Sequence, residues 1–91
     1  MKIHMNYFAQ VRQSAGGENE TLDIKGGDTR ALLALLAERH GDAFRSLVLD
    51  EKGDPRPGII LLLNDQPVPR GESKALADGD RISIFSPVAG G

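Results

Sequence analysis

Residue types capable of chemistry are few in this chain, and none stand grouped for it. The two histidines, His4 and His40, have no carboxylate or thiolate at a supporting metal-ligand spacing, and both read as solvent-facing structural residues. No cysteine is present, which excludes disulfide scaffolds, cysteine zinc sites, iron–sulfur clusters and thiol nucleophiles. Asp28, Asp65, Asp78 and Asp80 stand beside helix starts and turns and read as caps or turn formers. Gly16-Gly17 and Gly26-Gly27 lack the context of a phosphate loop and read as turns.

What is left is the end, Ser86-Pro87-Val88-Ala89-Gly90-Gly91. Gly91 offers a carboxylate on an unhindered stalk. Gly90 has no Cβ, so the stalk can pass a channel too tight for any other residue. Six extended residues reach up to about 20 Å, enough to enter another protein's active site while the body stays outside. A carboxylate is a poor electrophile until a partner activates it, for example by adenylation. The chemistry expected is therefore that of a carrier or a conjugating tag, with catalysis supplied elsewhere. A frayed glycine end without function is the alternative reading.

Something must hold that stalk. Lys2 to Phe8 alternates, with Ile3, Met5 and Tyr7 on one side and Lys2, His4 and Asn6 on the other, the period of a half-buried strand. Ala9 to Ser14 has room for one helical turn before Ala15-Gly16-Gly17. Glu20 to Lys25 alternates again, so an antiparallel hairpin is expected. Asp28 or Thr29 caps a helix over Thr29 to His40, whose leucines fall at helical spacing and which Gly41 closes in a left-handed conformation. Asp42 to Leu49 reads as a further turn of helix running into an extended piece. Glu51 to Gly58 is a loop by its prolines, glycines and alternating charge. Ile59 to Leu63 is an apolar strand, Pro67 and Pro69 permit at most an edge strand after it, and Arg81 to Phe85 is the last strand.

The order predicts a two-layer α+β domain over residues 1–85, its four- to five-stranded sheet covered on one face by a main helix, with a flexible tail at 86–91. One helix cannot cover both sides of Ile59–Leu63. Ile60 and Leu62, with Phe85 at the root of the stalk, are expected to face away and form an apolar docking patch. Pro87 and Val88 would join them against a partner. The competing expectation is that the segments around Phe44 or Pro67 fold over that face.

Composition is ordinary for a globular chain of 91 residues, with 40% hydrophobic and 26% charged residues. The net charge is −2, with no two lysines or arginines adjacent, so there is no electrostatic footprint for nucleic acid. The first residues lack the apolar core of a signal peptide, and no stretch has membrane-spanning length. With no cysteine to staple a secreted domain, a cytoplasmic location is expected.

Phe8-Ala9-Gln10-Val11-Arg12 after the first strand, Asn64-Asp65, Asp78-Gly79-Asp80 and the ending Pro87-Val88-Ala89-Gly90-Gly91 together resemble the MoaD/ThiS group of sulfur carriers. Molybdopterin synthase small subunits and archaeal modifiers are the most similar members. The resemblance implies a β-grasp, ubiquitin-like fold. It further implies that an E1-like enzyme uses ATP to adenylate Gly91, that a sulfur donor protein displaces AMP to leave a thiocarboxylate, and that the tail enters the large subunit of molybdopterin synthase. No cofactor is bound by the carrier itself. Ser86 departs from the group by standing where a further proline is common, which would loosen the stalk, and Glu51–Gly58 lies closer to the modifiers. A carrier for thiamine, cysteine or tungsten-cofactor supply, a modifier joined to lysines through Gly91, and a non-reactive interaction module are the other readings.

Overall fold

Two strands that are distant in sequence lie side by side at the centre of the sheet, and the rest of the chain is arranged around them. The computed structural model describes residues 1–86. Its elements are β1 (Lys2–Phe8), α1 (Gln10–Ala15), β2 (Asn19–Asp23), α2 (Thr29–His40), α3 (Asp42–Val48), β3 (Ile60–Leu63), β4 (Gln66–Pro67) and β5 (Arg81–Phe85). The sheet order is β2-β1-β5-β3-β4. β1 and β5 run parallel, and the other pairs are antiparallel. This is the mixed β-grasp sheet, with five strands.

Each element follows from local chemistry. The β1 alternation places Ile3, Met5 and Tyr7 in the core. Asp28 caps α2 by accepting the Ala31 N–H at 2.9 Å. Asn64 and Asp65, both at positive φ, make the two-residue reversal between β3 and β4. Asn64 also ties that reversal to the centre of the sheet: its Oδ1 accepts the Arg81 N–H at 2.9 Å, and its Nδ2 donates to Asp80 at 2.8 Å.

Tyr7, Ile82, Ile84 and Leu61 of the sheet pack against Leu32, Leu33 and Leu36 of α2 and Phe44 and Val48 of α3. Val11 of α1 joins the same cluster, so all three helices lie on one face. Phe44 is wholly buried beneath them, its ring 6.3 Å from Tyr7, so it does not fold over the other face. Pro67 does not either, because β4 extends the sheet beside Leu62.

Four expectations need correction. β2 spans Asn19–Asp23 rather than residues 20–25; Ile24 still donates its N–H to the Met1 carbonyl but lies beyond the strand. β3 begins at Ile60, not Ile59. Gly41 has φ 90° and ψ −164°, outside the left-handed helical region, because it both ends α2, donating to Ala37, and starts α3, accepting from Arg45. His40 is not solvent-facing: its side chain is 13% exposed, and its Nε2 lies 2.6 Å from Glu20 Oε2.

Candidate functional site

The last residues of β5 lead directly into the C-terminal segment, so the site is built outward from Phe85. In the parallel register Phe8 stands opposite Phe85, and in the antiparallel one Ile60 does. One apolar row thus crosses three strands at the end of the sheet from which the chain continues. The Phe8 and Phe85 rings stack with centroids 4.3 Å apart and planes 4° apart. The next row along carries Leu62 opposite Ser83. Phe8 is 41% and Ile60 52% exposed, while Phe85 and Leu62 are half-buried.

Ile60, Leu62 and Phe85 thus occupy the face opposite the helices. Pro87, Val88, Gly90 and Gly91 lie outside the described residues. Sequence reasoning missed Phe8. The signal was its place at the end of the β1 alternation, on the side of His4 and Asn6, though only the register with β5 pairs it with Phe85.

Ser86 belongs to the folded body rather than to the flexible tail expected over residues 86–91. It is 7% exposed, and its Oγ accepts the Gln10 N–H at 2.9 Å. That amide opens α1, where first-turn donors otherwise have no partner. Ala9 precedes it at φ 57°, ψ −133°, a conformation that an L-residue rarely adopts.

On the helix side a polar cluster locks β1, β2 and α2 together. Glu20 accepts from Tyr7 OH at 2.6 Å and from Arg39 Nε at 2.8 Å, and His40 completes the set. Burial, and next the hydrogen bond to Glu20, push the Tyr7 hydroxyl far above its ordinary range. For Glu20 burial acts upward, yet the Tyr7, His40 and Arg39 interactions outweigh it and hold the carboxyl below its ordinary value. Every polar member has a partner, so the cluster is accounted for as a structural clasp.

Two open surface grooves, of about 430 and 450 Å³, are lined by Asp50, Arg56 and Arg70 and by Leu22, Leu35 and Arg39 among others; neither touches the Phe8–Phe85 row. Among the described residues no group of three or more histidine, aspartate or glutamate side chains is placed to hold a metal. None of the described helices is long and apolar enough to cross a membrane.

The ThiS family model matches residues 5–91, from the middle of β1 through the terminal glycines. The chain belongs to the ThiS family. Its similarity to small archaeal modifier protein 3 of Haloferax volcanii is 35% identity over 95 residues, covering all of both chains. With the molybdopterin synthase sulfur carrier subunit of Chlamydomonas reinhardtii it shares 32% identity over 92 residues, again covering all of both. Among solved structures, SAMP1 from Haloferax volcanii is similar with a TM-score of 0.84 at 28% identity, with both chains fully covered. The ThiS family is thus one of small sulfur carriers and ubiquitin-like modifiers, and its fold is the β-grasp derived above.

Proposed function

We propose that this ThiS-family chain is a sulfur carrier whose Gly91 is converted to a thiocarboxylate, serving molybdopterin synthesis. The carrying observation is the Gly90-Gly91 ending within a family match that runs to residue 91. A chemically silent body with one activatable carboxylate suits a cargo protein. In the first step a Gly91 carboxylate oxygen attacks the α-phosphorus of ATP on an E1-like enzyme, giving an acyl adenylate and releasing pyrophosphate. The outer sulfur of a donor protein's persulfide then attacks the carbonyl carbon and expels AMP. A thiol reductant cleaves the resulting acyl disulfide, releasing the Gly91 thiocarboxylate and leaving the donor sulfur and the thiol joined as a disulfide. The ATP belongs to the partner; the carrier holds no cofactor.

The Phe8–Phe85–Ile60 row, with Leu62, is the docking surface in this reading, and Pro87 and Val88 continue it along the tail. Apolar area at the root of the stalk lets a partner grip the body while Gly90 and Gly91 enter its active site. The same surface serves the activating enzyme and the large subunit of molybdopterin synthase, so the carrier must leave one to meet the other. The cytoplasm, where those partners and ATP meet, is the location that fits.

Molybdopterin is favoured by the likeness to the Chlamydomonas reinhardtii carrier subunit. The similar likeness to small archaeal modifier protein 3 favours a second reading, conjugation of Gly91 to lysine amines. Reconstitution separates the two. With an E1-like enzyme, ATP, a sulfur donor and the large subunit, the carrier reading predicts sulfur incorporation into cyclic pyranopterin monophosphate. The modifier reading predicts isopeptide-linked adducts and no sulfur on the pterin.

A further inference from the structure

Ser86, which composition groups with the C-terminal segment, is held to the body by a specific bond. Ser86 lies outside β5, yet it is buried, and its Oγ takes the N–H of Gln10, 76 positions away. Ala9, immediately before that N–H, has φ of 57° and ψ of −133°. A residue without a glycine's freedom held in that conformation marks a position that its surroundings enforce. The stacked Phe8 and Phe85 rings come immediately before the two latched segments, Phe8 before Ala9 and Phe85 before Ser86. Both strands leaving the sheet at this end are thus tied to each other twice, once by rings and once by the hydrogen bond.

We propose that Ser86 is a positioning residue: its hydroxyl latches the root of the C-terminal segment to the start of α1, so that the reach to Gly91 begins at a fixed point beside the Phe8–Phe85 pair. The inference rests on the carrier reading for its consequence, though not for the latch itself. A stalk with a fixed root searches fewer conformations before it enters a partner's channel, which lowers the ordering cost of docking. The latch therefore acts on the binding step and leaves the chemistry at the carboxylate unchanged.

Wild type, Ser86→Ala and Ser86→Thr provide the test, with Gln10 amide exchange measured on the free proteins and steady-state kinetics of adenylation by the E1-like enzyme. Removing the hydroxyl is expected to speed Gln10 exchange by about tenfold, the factor one net hydrogen bond carries. KM for the carrier should rise roughly fivefold with kcat nearly unchanged, since the cost falls on ordering before docking. Threonine should restore both values. A lower kcat at unchanged KM would place the effect on the chemistry and overturn the proposal. A rise in KM matched by an equal fall in the folded fraction of Ser86→Ala, measured by circular dichroism at the assay temperature, would overturn it too. So would unaltered Gln10 exchange in Ser86→Ala. Wild-type protein that no activating enzyme adenylates would instead overturn the carrier reading and the kinetic role with it, while the exchange comparison would still decide whether the latch exists.

Discussion

Phe8 and Phe85 stand opposite one another in the parallel β1–β5 register, their rings stacked 4.3 Å apart on the face that the helices leave open. Parallel neighbours bring the ends of β1 and β5 together, so the last residue of β1 and the last residue of β5 form one apolar surface. Ile60 on the other side of Phe85 widens it.

Phe85→Ala should weaken complexes with both the activating enzyme and the acceptor. Burying one large apolar side chain contributes roughly 1.5–3 kcal/mol, about 10- to 150-fold in affinity. Its cost to the free domain should be modest, about 1 kcal/mol, because the ring is only half-buried. Phe44→Ala, at a wholly buried position, should cost about 3–5 kcal/mol. Denaturant unfolding and titration calorimetry on the two variants check the contrast. A globally unfolded Phe85→Ala protein would show that the ring belongs to the core.

The Glu20 clasp predicts an acid-sensitive component of stability. Above the ordinary carboxylate value both folded and unfolded states carry the charge, and the full contribution is present. As pH falls below that value the unfolded chain takes up its proton first, and the contribution fades until the depressed folded value is passed. Glu20→Gln should lower stability at neutral pH by about 1.5–3 kcal/mol, the range for hydrogen bonds to a charged group. The gap from wild type should narrow steadily below about pH 4.5. A gap that stays constant down to pH 2 in urea unfolding would contradict the assignment.

Ala9→Gly tests the strained peptide. A positive-φ conformation of this kind costs an alanine about 1–3 kcal/mol, whereas glycine loses about 0.5–1 kcal/mol more backbone entropy on folding. The strain is larger, so the variant should melt higher, by several degrees for a domain this size. A lower melting temperature would mean that the strain is smaller than the entropy difference.

Local patterns carried much of this fold into the sequence. Thr29–His40 was readable because Asp28 and Gly41 bracket a leucine-rich stretch, and β1 because Ile3, Met5 and Tyr7 alternate with polar residues. Asn64-Asp65 announced its own turn. The orientation of Ile60 and Leu62 followed from strand parity. What could not be read depended on tertiary neighbours. His40 meets Glu20 only when α2 packs beside β2, and Ser86 meets Gln10 only after β5 is laid beside β1. Ala9 gives no local hint of positive φ, since alanine is a residue that ordinarily avoids it.

A side chain at Gly90 should block transfer without harming the fold. In the carrier reading, Gly90→Val adds bulk where a partner's channel would admit the tail, and it restricts the backbone angles open at that position. Sulfur transfer should fall at least as far as it does for Val88→Ala, with an unchanged melting temperature. Wild-type transfer by Gly90→Val would contradict the channel argument.

The proposed chemistry takes place at the carboxylate of Gly91, and intact-mass analysis after incubation with an E1-like enzyme, ATP and a sulfur donor tests it most directly. The wild-type chain should gain the mass difference between one sulfur and one oxygen, while a variant with one residue appended after Gly91, or with Gly91 deleted, should gain nothing and melt as wild type does. Full sulfur loading of the appended variant, or a wild-type mass that never changes, would contradict it.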